Sequence, residues 1–293
     1  MAFNWIGQSE DKKTVMLKAF DGGFCFADYA TDQWIGDNQD KIKTGCVIDV
    51  ETTGLNQKTD VIIEIGLRLF QFNRLNGDLL KVVEGYSSLQ DPLRPLTEDI
   101  KRLTGITDEQ LKGKQIDWKK VEELLLKSNV VIAHNAGFDR PFLDRTVSAS
   151  KECHWVCSFK QVDWSEKGFF TSKLEFLSIY HGFYVGAHRA LNDADALLHL
   201  LSFLDLGTKR SYLDELLQRA RKPVVLVSAN QSPFESKDAL RARGYRWDTQ
   251  ERVWSKMLLK ELLDDEIAWM EAAVYNGKFK GIAQEISTKD LFK

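Results

Sequence analysis

Asp49 and Glu51 stand two residues apart in VIDVETTGL (47–55), among Val47, Ile48 and Val50. The run reads as a buried strand, and alternate strand residues share a face. The two carboxylates therefore project together, with roots roughly 7 Å apart. Left unpaired they would cost several kcal/mol, so a positive partner is expected. Other acids also sit where apolar residues would pack better. Asp139 lies in VVIAHNAGFDRPFLDR (130–145), Asp193 in HRALNDADALLHLL (188–201) and Glu64 in VIIEIGLRLF (61–70). Asp49, Glu51, Asp139 and Asp193 facing one place make a hard-oxygen site, which suits Mg²⁺ or Mn²⁺ rather than zinc. Two such ions about 4 Å apart stabilise the attacking and leaving oxygens of a phosphoryl displacement. A neutral His188 beside them can take a proton from the attacking water.

The surrounding pattern must place these groups. Strands are expected at 44–50, 61–70 and 79–88, paired antiparallel because their links are short. A fourth strand, 129–133, runs into a helix over 137–149 that starts near Asn135, a suitable cap, and carries Asp139 in its first turn. A short fifth strand covers 154–158. Thr97 precedes a short helix that Thr104-Gly105-Ile106-Thr107 ends. Asp117 opens another helix through Leu126. Further helices are expected near 172–181 and 189–205, followed by a charged helical run at 209–221. His188 and Asp193 are five residues apart, about 140° of helical rotation. His188 therefore belongs to the loop before the helix and Asp193 to its inner face. Strands followed by crossing helices make an α/β domain. Residues 1–43 show no clear period and read as a loose or short β lead-in.

DVETTGL, AHNAGFD and HRALND resemble the three motifs of the DEDDh 3′→5′ exonucleases, the proofreading branch of the ribonuclease-H-like superfamily. LTGIT at 103–107 is similar to a further segment of that family. The resemblance implies a mixed five-stranded sheet flanked by helices over 44–208, after an N-terminal extension at 1–43. It implies that Asp49 bridges two Mg²⁺ or Mn²⁺ ions, that Glu51 and Asp193 complete one, and that Asp139 holds the other. His188 would activate the water. Thr52, Thr53, Gly54 and Leu55 would face the 3′-terminal nucleotide, with Asn135 and Phe138 lining the pocket. Glu64 has a supporting role in this reading, and His134 is structural. The expected substrate is nucleic acid with a free 3′ end, DNA first and RNA second. The alternative to an enzyme is an accessory subunit that binds a polymerase, a repair protein or a strand end.

Composition narrows the setting. The chain is 43% hydrophobic and 28% charged, as a globular protein with a sizeable core requires. Its net charge of −3 argues against a basic nucleic-acid-coating protein. Cys25, Cys46, Cys153 and Cys157 are too sparse for a disulfide scaffold. Cys153-His154-x-x-Cys157 lacks a second half for zinc. With no apolar stretch of membrane-spanning length and no signal-like start, a cytoplasmic setting is expected, without a membrane partner. In DWSEKGFFTSK (163–173), Trp164, Phe169 and Phe170 either stack on bases or pack a long connection.

Residues 221–293 read as a small α+β domain. A strand is expected at 222–229, a helix at 235–244 ended by Gly244, a hairpin at 245–255 and a closing helix at 258–275. From Arg221 to Lys260 the local charge is +5. FESKDALRARGYRWDTQERVW resembles a module of the form K-x-x-x-(x)-L-G-x-R-W-D-x-x-x-K-x-W found in phage and bacterial proteins. Its basic residues alternate with Tyr245, Trp247 and Trp254, which fits either a strand-binding surface or an aromatic core beneath solvated arginines.

Overall fold

The computed structural model describes residues 7, 8, 10, 11, 13–186 and 188–293. The chain divides into two compact units, one running through Arg219 with Phe292–Lys293, the other Ala220–Leu291.

The first unit is built on a five-stranded mixed sheet. Strand β1 spans Ile42–Thr52, β2 Ile62–Asn73, β3 Leu79–Leu89, β4 Val130–Ala133 and β5 Trp155–Cys157. Their spatial order is β3-β2-β1-β4-β5. The first three pair antiparallel, and β4 and β5 join in parallel. The antiparallel expectation thus holds, and the sheet is the one the family resemblance implies. β1 and β2 are largely buried. Four helices of this unit matter here: α1 (Trp118–Leu126), α2 (Ala136–Thr146), α3 (Leu174–Tyr180) and α4 (Ala190–Ser202), of which α4 packs on β1 and β2. In α4 the buried Ala190, Ala194, Leu197, Leu198 and Leu201 recur at helical spacing and form a stripe that lies across β1 and β2.

Several expectations need correction. The lead-in contains a helix, Asp32–Asp37, whose N-cap Thr31 hydroxyl accepts from the Trp34 N–H at 3.1 Å. Only Ile35 in it is buried, so it shows no apolar period. Lys18–Ala19 pairs in parallel with Phe183–Tyr184, a long-range contact with no local signal. The expectations for residues 1–6, 9 and 12 lie outside the described residues. Trp164 and Phe169 are core residues. The Trp164 indole N–H donates to the Ser158 carbonyl at 2.9 Å, and only Phe170, 77% exposed, remains outside. All four cysteines are free thiols. Among the described residues no helix is long and apolar enough to cross a membrane.

The second unit is an antiparallel sheet with two helices. Its strands are β6 (Val224–Ser228), β7 (Arg246–Asp248), β8 (Val253–Leu259) and β9 (Ile282–Ile286), in the order β7-β8-β6-β9. Helix α5 covers Lys237–Ala242 and α6 Leu263–Ala273. The closing helix starts later than expected because Leu258 and Leu259 pair with Val225 and Val224 in the sheet. A short apolar run cannot by itself distinguish strand from helix. Strand β9 was not expected. Its first four residues are exposed, so it lacks alternating burial. Tyr245 belongs to the core with Val225, Val227, Leu240 and Met270, which removes it from any strand-binding surface.

Candidate active site

Glu51 closes the regular part of β1. It faces Glu64 across the β1–β2 pair, and the register shifts between Glu51 and Thr52. Asp49 faces Gly66. That glycine is required by space. A Cβ there would stand 2.1 Å from the Leu191 nitrogen and 2.2 Å from the Ala190 carbonyl carbon. The missing side chain lets the start of α4 press on β2 beside Asp49. A lone glycine inside a strand signals such a close approach, and this one was not read as part of the site.

The β4–α2 turn delivers Asp139. Asn135 occupies the N-cap position with φ of +84° and makes no side-chain cap, contrary to its expected role. Asparagine tolerates this left-handed conformation better than most residues. The buried Asp139 carboxylate accepts the Val50 N–H of β1 at 3.2 Å, which pins the helix to the strand between Asp49 and Glu51.

His188 lies on the exposed loop before α4, at φ +61°, as its spacing from Asp193 predicts. Its backbone N–H donates to Asp193 at 3.0 Å. Possible ligand atoms of Glu51, His188 and Asp193 all lie within 4.8 Å of one another. The next residue, Arg189, reaches the buried Glu64 at 2.9 Å, and the Ala190 N–H donates to the same carboxylate at 3.1 Å. Glu64 is thus structural; its guanidinium partner is ion-paired to Glu64 and acts on Glu51 only through its charge.

Electrostatics show what the cluster lacks. Burial, followed by the charges of Asp139, Asp193, Glu51 and Glu64, holds the Asp49 carboxyl far above the usual carboxylate range. Burial, then Asp193, Glu64 and Asp139, pushes Glu51 up to about 8, with Arg189 opposing. Burial raises Asp139 to about 7 against its own and the Val50 backbone N–H groups. Burial raises Asp193 to about 6, opposed by His188. Among the described residues no lysine or arginine forms an ion pair with any of the four. Carboxylates crowded without an ion-paired cation, with one imidazole beside them, fit divalent hard ions well.

The TTGL segment forms a braced loop. The buried Thr52 hydroxyl donates to the Gly54 carbonyl at 2.6 Å. Asp60 is the hub. It accepts from the Thr53 hydroxyl at 2.8 Å, the Asn56 N–H at 2.9 Å and Arg94 at 3.0 Å. A Cβ on Gly54 would collide with this carboxylate at 2.5 Å. Gln57 donates to the Gly137 carbonyl at 3.0 Å, which latches the loop to the first turn of α2. Leu55 is left 83% exposed at the loop tip. Phe138, half-buried, packs on Phe142 with ring centroids 5.2 Å apart. His134 is confirmed as structural. Its ring nitrogens contact the Ser158 hydroxyl at 2.8 Å and the Ser172 carbonyl at 2.7 Å, and burial lowers it to about 4. Asp60 and Arg94 escaped sequence reading because they lie outside the three motifs.

A family model described as RNase_T, exonuclease, matches residues 46–201, a span that contains all five clustered residues. The chain is 32% identical over 163 residues to the DNA polymerase III subunit epsilon of Treponema pallidum, covering 53% of this chain and 73% of that protein. It is 33% identical over 123 residues to the PolC-type DNA polymerase III of Thermotoga petrophila, covering 41% of this chain and only 8% of that much longer protein. A solved structure titled as the zinc-bound form of an E. coli ExoI–ssDNA complex shares the fold. Its TM-score is 0.51 at 15% identity, over 74% of this chain and 63% of that one.

Proposed function

This chain belongs to the RNase_T exonuclease family, and we propose that it hydrolyses DNA from the 3′ end, releasing nucleoside 5′-monophosphates. The observation that carries the reading is the convergence of Asp49, Glu51, Asp139 and Asp193 beside His188, with no lysine or arginine among the described residues ion-paired to any of them. Residues 44–208 are assigned the hydrolysis, with 221–293 as an accessory domain.

In this reading the four carboxylates hold two Mg²⁺ or Mn²⁺ ions. When bound, such a pair supplies Lewis-acid stabilisation of the attacking and leaving oxygens. The protein's own groups do the rest. The His188 imidazole takes the proton of the attacking water and holds it while the phosphodiester opens. Its bond to Asp193 and its strained backbone fix the loop that presents the ring. Leu55 lies against the terminal base, and the backbone of Thr52–Gly54 meets the 3′ hydroxyl. Asn135 and Phe138 close the other side. A pocket that grips a free 3′ hydroxyl attacks ends rather than interior bonds. DNA is preferred because the relatives are DNA polymerase III proteins. Trimming 3′ ends for a polymerase or repair assembly is the corresponding setting.

The test uses 5′-labelled DNA and RNA of one sequence, each with Mg²⁺, Mn²⁺ or EDTA. A ladder shortening from the 3′ end of DNA, abolished by EDTA, is expected. No shortening with either metal defeats the enzyme assignment, and faster loss of RNA reverses the substrate order.

A further inference from the structure

The second unit sorts its aromatic and basic residues into two sets. Tyr245 is buried and Trp269 partly buried against the same core. The cations over these rings, Lys256 and Arg243, both pair with the buried Glu266, at 3.1 and 3.3 Å. This set holds the fold together.

The other set is more exposed, with Trp254 as its link to the core. Phe234 is 76% exposed, and Lys237 Nζ stands 4.3 Å from its ring centroid. One turn along α5, on the same face, Arg241 lies 5.7 Å from the ring of Trp254. Trp254 pairs across β7–β8 with Trp247, ring centroids 5.6 Å apart and planes at 63°. Trp247 is 47% exposed. Aromatic and cationic groups thus run together from Phe234 through Lys237, Arg241 and Trp254 to Trp247. Among the described residues Lys237 has no carboxylate partner. Arg241 has one exposed partner, Asp238 at 3.4 Å, which competing phosphate can displace.

We propose that this stripe binds single-stranded DNA. Bases stack on Trp247 and Phe234, and phosphates meet Lys237 and Arg241. A single strand offers flat apolar faces and regularly spaced anions, the complement of the stripe. A duplex hides those faces. Residues 220–291 hold twelve basic and eleven acidic residues, so the attraction comes from the local cations Lys237 and Arg241 rather than from the net charge of the unit. The inference rests on the nucleic-acid reading of the first unit and extends it to a second contact.

The experiment measures anisotropy of a labelled oligothymidine about fifteen nucleotides long, with the full chain in EDTA. Trp247→Ala is expected to weaken binding roughly tenfold, and Trp247→Phe to recover most of the loss. Lys237→Ala with Arg241→Ala is expected to flatten the log–log salt slope by about 1.4, or about 0.7 per cation. Parental affinity and slope in both variants, with parental melting, overturn the proposal. So does tighter binding of a duplex of the same length. A parent that binds the oligothymidine but never shortens it with Mg²⁺ defeats only the exonuclease reading. A parent that shortens it, with variants that bind as the parent does, defeats only the stripe.

Discussion

Arg189 and Ala190, the two residues after His188, are both tied to Glu64: the guanidinium lies 2.9 Å and the backbone N–H 3.1 Å from its carboxylate. Glu64 is only 1% exposed and sits opposite Glu51 in the β1–β2 register. The loop bearing the imidazole is therefore fastened to the strand that flanks the acids.

Glu64→Ala leaves that N–H without its acceptor and frees the guanidinium toward the acids. Stability should fall by about 1–3 kcal/mol, and turnover should fall with it as the His188 loop loosens. Glu64→Gln, which still accepts from Ala190, should lose less of both. Melting curves beside oligonucleotide turnover decide the matter. An alanine variant as stable and active as the parent would show that the tie is idle.

Gly66→Ala tests close approach in the same place. The added methyl meets backbone atoms of Ala190 and Leu191, which cannot rotate away. α4 must lift, carrying Asp193 from Asp49. The expected cost is about 1–3 kcal/mol or more, with turnover lost alongside. Gly137→Ala is the contrast, since a Cβ there meets only the tip of Lys160 at 3.6 Å. Its melting temperature should hold or rise, because alanine favours helix. Equal melting of the two variants would refute the packing argument.

The acids, the five strands and the place of His188 were legible because each depends on local periodicity. Asp49 and Glu51 share a face by strand geometry alone, and His188 and Asp193 separate by helical rotation alone. The pairing of Arg189 with Glu64 joins residues 125 positions apart, and no local pattern announces it. Gly66 carried a readable sign, a glycine inside an apolar strand, but what presses on it comes from α4. Trp164 and Phe169 looked equally fit for bases or core until their burial was known. Strand β9 was hidden because an exposed edge strand has no buried face to alternate with.

His188→Ala and Asp49→Asn separate the two kinds of chemistry. Loss of the imidazole should lower turnover about 10²–10⁴-fold, while Mg²⁺ still raises the melting temperature. Loss of the central carboxylate should abolish nearly all turnover and shrink that rise as well. Isothermal titration with Mn²⁺ checks both variants. Parental turnover in His188→Ala would remove the proton-transfer role.

The crowded carboxyls also set a pH dependence for the metal-free chain. Their ordinary values lie near 4, whereas in the fold Asp193 rises to about 6, Asp139 to about 7 and Glu51 to about 8. The folded state therefore holds more protons than the unfolded one, so their contribution to stability is lost as pH rises through 6 to 8. The buried His134, His181 and His199, lowered to about 4, act in the opposite sense, but only below their unfolded value of 6.5. Between about pH 7 and 8.5 the carboxyls dominate. In EDTA the melting temperature should fall across that interval, by an amount worth about 1–3 kcal/mol. Mg²⁺ should raise it most at the alkaline end, where the ion displaces fewest protons. A flat EDTA profile, or a Mg²⁺ effect independent of pH, would mean that the four acids are neutralised by something other than a divalent ion.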